Sequence, residues 1–187
     1  MLTRADQLGA SIILANDPDA DRFSATEKQP SGQWRIFTGN EIGVLLAVYL
    51  LDQYRAAHPE GKEEDEEKPP KLAMLRSAVS SCMIDAICQQ EGVRVEDTLT
   101  GFKWLGNRAI ELEKEGYTVL LAYEEAIGFM LNDSVKDKDG VSTLVVFSEM
   151  AGKLYKAGLT LSTRMDQIFA KSAPPASFFL LFHSLNV

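Results

Sequence analysis

From residue 71 to residue 158 the chain alternates short apolar runs with helical stretches, and this alternation narrows its possible folds more than any other feature. "KLAMLRSAVS" (71–80), "VRVEDTL" (93–99) and "YTVLLAYE" (117–124) have the length and apolar content of strands. "SSCMIDAICQQEG" (80–92) reads as a helix closed by Gly92, and "KWLGNRAIELEKEG" (103–116) as a helix ending at Gly116. "VSTLVVFSEMAGKLYKAG" (141–158) is a further helix stopped by Gly158, and "TLSTRMDQIFA" (160–170) starts one more. The expectation is an α/β fold: a largely parallel or mixed sheet covered by helices.

Upstream, "ASIILAN" (10–16), "DRFSATE" (21–27) and "WRIF" (34–37) read as short strands, with turn chemistry in "KQPSGQ" (28–33). "TGNEIGVLLAVYLLDQYRAA" (38–57) reads as a helix with Asn40 as its cap. Ile42, Leu45, Leu46, Tyr49, Leu50 and Tyr54 repeat along it near the helical period. "HPEGKEEDEEKPP" (58–70) reads as a solvated, proline-bounded insertion.

Charge and cysteine usage exclude several functions. A net charge of -8 and a pI near 4.8 leave no basic stripe for nucleic acid. Cys82 and Cys88 lack CxxC spacing, which argues against a zinc site or a disulfide framework and for a reducing compartment. The opening "MLTRADQLGA" is too polar for a signal peptide, and the apolar stretches fall short of a membrane span. A cytoplasmic protein without a membrane partner is expected.

Chemistry gathers first in "LANDPDADRFS" (14–24). Asp17, Asp19 and Asp21 recur every second residue behind an apolar run, and their mutual repulsion costs stability unless a cation sits among them. Three carboxylates on one side of the backbone are oxygen-only ligands, suited to Mg²⁺, Mn²⁺ or Ca²⁺. An EF-hand loop does not fit, because Arg22 and Lys28 occupy the positions where that loop needs Gly and Glu. Arg22, directly after the cluster, suits a phosphate, which guanidinium pairs in bidentate fashion. A divalent ion and an arginine converging on one phosphoryl group would form a phosphoryl-transfer site; the alternative is an acidic surface turn without metal. Two further stretches carry weaker signals. In "LLAYEEAIGFM" (120–130), Glu124, Glu125 and Gly128 follow a buried strand, an arrangement suited to reading hydroxyls or to a plain charged turn. In "TLTGFKWLGNR" (98–108), Lys103 stands at a loop-to-helix junction, placed to bind phosphate, to move a proton, or simply to face solvent.

Taken in order, these stretches resemble the α-D-phosphohexomutase superfamily. "DPDADR" resembles its metal loop, "TGNEIGVLL" the opening of its third domain, "TGFKWLG" its TGxK stretch and "EEAIGF" its sugar-binding loop. "TLTGFKWLGNR", "YEEAIGFM" and "DKDGVS" are most similar to the phosphopentomutase and glucose-1,6-bisphosphate synthase branch. The resemblance implies a phosphomutase using Mg²⁺ on a sugar phosphate, a ribose or glucose phosphate. A phosphoserine donates a phosphoryl group, and the bisphosphate intermediate reorients and returns the other one. By the same resemblance Asp17, Asp19 and Asp21 are the metal ligands, Arg22 contacts phosphate or substrate, and Lys103 is an acid/base or positioning group. Glu124, Glu125 and Gly128 form the sugar loop, with Glu125 reading hydroxyls. Ile127 stands where many relatives have Ser and Phe129 where they have His, so hydroxyl recognition is expected to differ from that of a standard phosphoglucomutase.

The resemblance divides the chain into the end of the second domain (1–36), the third domain (37–170) and a divergent tail (171–187). It finds no counterpart of the serine loop, typically TASHNP, so the isolated chain is expected to be inactive: a truncated or aberrantly spliced product, or a fragment, that retains metal or sugar-phosphate binding. "APPAS" (173–177) stops any helix begun at Thr160, and "FFLLF" (178–182) is an uncharged, aggregation-prone run expected not to pack into the family fold.

Overall fold

A computed structural model describes residues 1–59, 71–131 and 134–172. The charged insertion from residue 60 onward and the tail expectations at 173–187 lie outside the described residues.

Two sheets organise the chain. The first is an antiparallel meander of β1 (Ile12–Asn16), β2 (Phe23–Lys28) and β3 (Trp34–Ile36), in that order. Asn16 pairs with Phe23, so residues 17–22 are the hairpin loop between β1 and β2. A short helix α1 (Leu2–Gln7) precedes it, absent from the sequence reading because it is brief and polar. Asp6 pins it to the sheet by accepting from Lys28 Nζ at 2.6 Å and Trp34 Nε1 at 3.1 Å.

Helix α2 (Gly39–Ala57) links the sheets, and its cap corrects the expectation for Asn40. Thr38 is the N-cap: its Oγ1 accepts from Glu41 N at 3.2 Å while Glu41 Oε2 accepts from Thr38 N at 2.8 Å. This T-x-x-E capping box satisfies two donors at the helix start. Asn40 lies inside the helix, where its Oδ1 accepts from Ser81 N at 2.9 Å.

The second sheet contains β4 (Lys71–Ser77), β5 (Arg94–Thr98), β6 (Tyr117–Glu124) and β7 (Gly128–Met130) in the order β5-β4-β6-β7. The first three are parallel, and β7 is antiparallel to β6, so the sheet is mixed, one of the two forms the alternation allows. Strand β4 stops at Ser77 rather than residue 80, and Gly128 opens a strand instead of forming a turn. The chain runs from β4 out to β5 through α3 (Met83–Glu91), then back past β4 to β6 through α4 (Phe102–Lys114). Crossovers of one hand that run in opposite directions place their helices on opposite faces. Accordingly Ile84, Ile87 and Cys88 of α3 join the larger core, whereas Phe102, Leu105, Ala109 and Leu112 of α4 pack with Ala73 and Leu75 in a second one. A bulge keeps this parity in β6: Ala73 pairs with Val119 but Met74 pairs with Leu121, so Leu120 and Leu121 both join the larger core.

Helices α5 (Gly140–Lys156) and α6 (Leu161–Ser172) complete the larger core, the latter running two residues beyond its expected end. They tie the first sheet to the rest. Along β2, Phe23, Ala25 and Glu27 share the buried face, as the two-residue period of a strand dictates. Phe23 meets Phe147 of α5 with ring centroids 5.1 Å apart. Glu27, only 1% exposed, is a carboxylate in an apolar row. Its Oε1 accepts from Leu161 N at 2.7 Å and Tyr155 Oη at 3.0 Å, and its Oε2 from Ser162 N at 3.0 Å and Ser162 Oγ at 2.6 Å. The positive end of α6 thus stabilises a buried anion. Replacing Glu27 by Ala leaves those donors without an acceptor, and we predict a loss of about 2–4 kcal/mol in urea unfolding. A loss below about 0.5 kcal/mol, the scale of an ordinary surface substitution, would contradict this latch.

Candidate functional site

The chain reverses direction across β4, so the crevice expected in such a sheet lies beyond the carboxyl ends of β4 and β6. Ser77 ends β4 there, and Glu124 ends β6. A three-residue loop, Glu125 to Ile127, then turns the chain into β7. Three-residue hairpins need a left-handed residue at their last position. Ile127 takes it, at φ +59°, a rare conformation for a β-branched side chain. Its carbonyl accepts from Phe23 N at 3.1 Å, and Arg22 forms a β-bridge with Gly128. The 17–22 loop of the first sheet is thereby joined to the 125–128 loop of the second.

The 17–22 loop turns back on itself, with Ala20 N donating to Asp17 O at 3.0 Å, and Ala20 is the second left-handed residue, also at φ +59°. Its carbonyl accepts from Gly140 N at 3.1 Å, at the start of α5. Asn16 Nδ2 donates to Arg22 O at 2.6 Å and closes the loop. The result brings Asp17, Asp19 and Asp21 together, each offering one carboxylate oxygen within 4.8 Å of the others. Asp17 Oδ1 accepts from Arg22 N at 3.1 Å. Burial pushes the Asp17 carboxyl up, but this N–H and the Arg22 charge outweigh it and hold the group below the usual carboxylate range. Arg22 Nε lies 3.6 Å from Asp17 Oδ2 and 3.8 Å from Asp21 Oδ1, beyond hydrogen-bond reach, and half of its side chain is exposed. Asp21 Oδ1 is buried with no hydrogen-bond partner among the described residues. An all-oxygen donor set with one orphaned, buried carboxylate oxygen fits a small hard cation such as Mg²⁺.

Lys138 is the residue that sequence reasoning missed. Its Nζ is 3.2 Å from Asp21 Oδ2 and 3.8 Å from Asp137 Oδ1, and it lies 5.6 Å from the centre of the Phe102 ring. Burial pulls its ammonium down, but Asp21 outweighs this and holds it above the usual lysine range. The "DKDGVS" stretch contained it; its contact with Asp21 is long-range and leaves no local pattern. Gly128 serves by lacking a side chain, since a Cβ there would sit 2.5 Å from Lys138 Cδ and 3.0 Å from Glu124 Oε1. Burial raises the Glu124 carboxyl above its ordinary range, and the Lys138 charge partly offsets this.

Glu125 faces the end of β4. Its Oε2 accepts from Ser77 Oγ at 3.0 Å and Ser80 Oγ at 3.3 Å, and its backbone N donates to Ser80 Oγ at 3.0 Å. These two serines also went unread as site residues. Lys103 stands apart: it is exposed in the first turn of α4, with its Nζ 5.3 Å from the centre of its neighbour Trp104's ring, and it makes no ion pair among the described residues. Phe129 is fully buried and stacked on Tyr123, with ring centroids 6.3 Å apart.

The close approach of α5 to the aspartate loop yields a paired prediction. A Cβ at Gly140 would fall on Arg22 O and Asn16 Nδ2 and lie 2.7 Å from Ala20 O, whereas one at Gly152 of the same helix meets nothing within 4 Å. Gly140→Ala should cost about 1–3 kcal/mol in urea unfolding. Gly152→Ala should be neutral or stabilising by up to about 1 kcal/mol. Equal effects at the two positions would contradict the packing described.

Comparison with known proteins identifies the fold. Residues 38–172 match the family model described as phosphoglucomutase/phosphomannomutase, alpha/beta/alpha domain III. The chain is 46% identical to phosphopentomutase of Mus musculus over 94% of its own length and 28% of that protein. It is 40% identical to glucose 1,6-bisphosphate synthase of Homo sapiens over 97% of its length and 29% of that protein. The chain thus spans less than a third of the curated relatives it matches. Among solved structures, Aspergillus fumigatus N-acetylphosphoglucosamine mutase in complex with GlcNAc-6P and magnesium superposes with a TM-score of 0.56 at 16% identity, covering 84% of this chain and 34% of that one. The chain belongs to the α-D-phosphohexomutase superfamily and carries its α/β/α domain III.

Proposed function

We propose that this chain supplies the cation-binding and sugar-reading part of a phosphomutase that moves a phosphoryl group between hydroxyls of a sugar phosphate. One observation carries the reading: Asp17, Asp19, Asp21 and Arg22 are joined by backbone bonding to the Glu124–Gly128 loop at the crevice end of β4 and β6. The similarity to phosphopentomutase and glucose 1,6-bisphosphate synthase favours a ribose or glucose phosphate as the substrate.

In this reading the three aspartates hold Mg²⁺, which when bound supplies positive charge to a phosphoryl oxygen. Arg22 presents its exposed guanidinium to the same group. Glu125 has its Oε2 fixed by Ser77 and Ser80, which leaves Oε1 to accept from a sugar hydroxyl. Glu124, whose carboxyl burial raises above its ordinary range, stands beside it as a second group for a sugar hydroxyl. Lys103, exposed at the start of α4, meets substrate phosphate or moves a proton once the remaining site surface is in place. Ile127 and Phe129 face the hydrophobic core and offer no polar contact, so hydroxyl reading rests on Glu124 and Glu125. Two free cysteines, one exposed and one buried, fit a reducing cytoplasmic setting, and no described helix is long and apolar enough to cross a membrane.

A second reading is binding without turnover. The family's serine loop has no counterpart in these 187 residues, and phosphoryl transfer of this kind needs a covalent carrier. Both readings place the cation at the same aspartates. Calorimetry with Mg²⁺ or Mn²⁺ should give weak binding that Asp19→Ala abolishes; equal heats from the two proteins would remove the metal assignment. A coupled assay on ribose 1-phosphate and glucose 1-phosphate, with bisphosphate activator present, should give no turnover from the 187 residues alone. Turnover abolished by Asp17→Ala would overturn the binding-only reading and require another phosphoryl carrier in this chain.

A further inference from the structure

The oxygens of Asp17 and Asp21 are not equivalent. Asp17 Oδ1 is occupied by the Arg22 N–H at 3.1 Å, and Asp21 Oδ2 by Lys138 Nζ at 3.2 Å. Each carboxylate therefore has one oxygen engaged at close range and one that faces only the Arg22 Nε, at 3.6 Å for Asp17 Oδ2 and 3.8 Å for Asp21 Oδ1, and Asp21 Oδ1 is buried without a hydrogen-bond partner among the described residues. The Lys138 contact is built rather than incidental. Its stem lies where a Gly128 Cβ would be, its head lies near the Phe102 ring, and Gly140, two residues on, is bonded to the aspartate loop through Ala20 O. The lysine is thus fixed at its stem and through its backbone neighbour before its charge meets Asp21.

We infer that Lys138 is a positioning residue for the cation site, holding Asp21 to a single free oxygen so that the loop selects a small octahedral ion over calcium. The inference rests on the metal reading above. Mg²⁺ takes near-ideal octahedral geometry with one oxygen per carboxylate, whereas Ca²⁺ takes six to eight oxygens and readily accepts both from one carboxylate. With Lys138 on Oδ2, Asp21 has no second oxygen to give, which costs the larger ion more than the smaller. Loss of the lysine has two separable effects. Removing a positive charge from a cluster of three carboxylates strengthens every divalent ion alike. Freeing Oδ2 strengthens calcium beyond that common gain.

The test uses the full chain, with Mg²⁺ and Ca²⁺ titrated separately by calorimetry. Lys138→Met keeps an apolar stem against Gly128 and Phe102 while removing the charge; Lys138→Arg keeps the charge; thermal melts report folding of each. Lys138→Met should tighten calcium about tenfold more than magnesium, the scale on which outer groups tune metal sites. Lys138→Arg should keep the wild-type ratio of the two affinities. Equal gains for both ions, or none, would overturn the inference while leaving the metal site standing. If Lys138→Met fails to fold, Lys138→Gln replaces it with the same expected change in ratio. A wild-type chain that binds neither ion would overturn the metal reading and this inference together.

Discussion

The site depends on a backbone junction between two sheets that share no ladder. Phe23, the first residue of β2, donates its N–H to Ile127 O, and the adjacent Arg22 bridges Gly128. Sheets pack through side chains at about 10 Å, too far for two loops to cooperate on one phosphoryl group. A main-chain hydrogen bond at 3.1 Å closes that gap and fixes the aspartates against the Glu124–Gly128 loop. The buried face of β2 holds the arrangement from behind, with Phe23 on Phe147 and Glu27 on the start of α6.

Both left-handed non-glycine residues of the described chain lie at this junction. Ala20 and Ile127 cost on the order of 1–3 kcal/mol each in such a conformation. Both of their carbonyls cross between segments, Ala20 O to Gly140 N and Ile127 O to Phe23 N. The rare dihedrals aim those carbonyls, so the strain goes with the bonds that assemble the site. The surrounding packing offsets it: Ile127 contributes to the larger core, and Gly140 leaves room for the turn.

Some of this was legible in the sequence. Alternating apolar runs and glycine-closed helices fixed the α/β class, because each signal is local to a few residues. The aspartate cluster was legible for the same reason, since a two-residue spacing confines three carboxylates to one short loop; the left-handed turn at Ala20 that brings their oxygens together was not. Lys138 was not, because its meeting with Asp21 depends on the fold bringing residues 21 and 138 together. Ser77 and Ser80 read as the tail of a strand until β4 was seen to stop short and turn both hydroxyls toward Glu125. The Thr38 capping box was in the sequence all along, three residues ahead of Glu41, and the neighbouring Asn40 competed for the same role. Ile127 gave no sign of its backbone role, because a β-branched residue argues against the left-handed turn that it occupies.

The central claim is that a cation at Asp17, Asp19 and Asp21 sits at a junction of three segments distant in sequence. Paramagnetic broadening by Mn²⁺ in the amide spectrum of the chain tests it most directly, because the ion itself reports what surrounds it. The account predicts that substoichiometric Mn²⁺ broadens amides of residues 17–22, 124–128 and 137–140 together, and that Asp19→Ala abolishes all three effects at once. Broadening centred on another acidic surface, such as Glu111, Glu113 and Glu115 near the end of α4, with the three segments untouched, would contradict it.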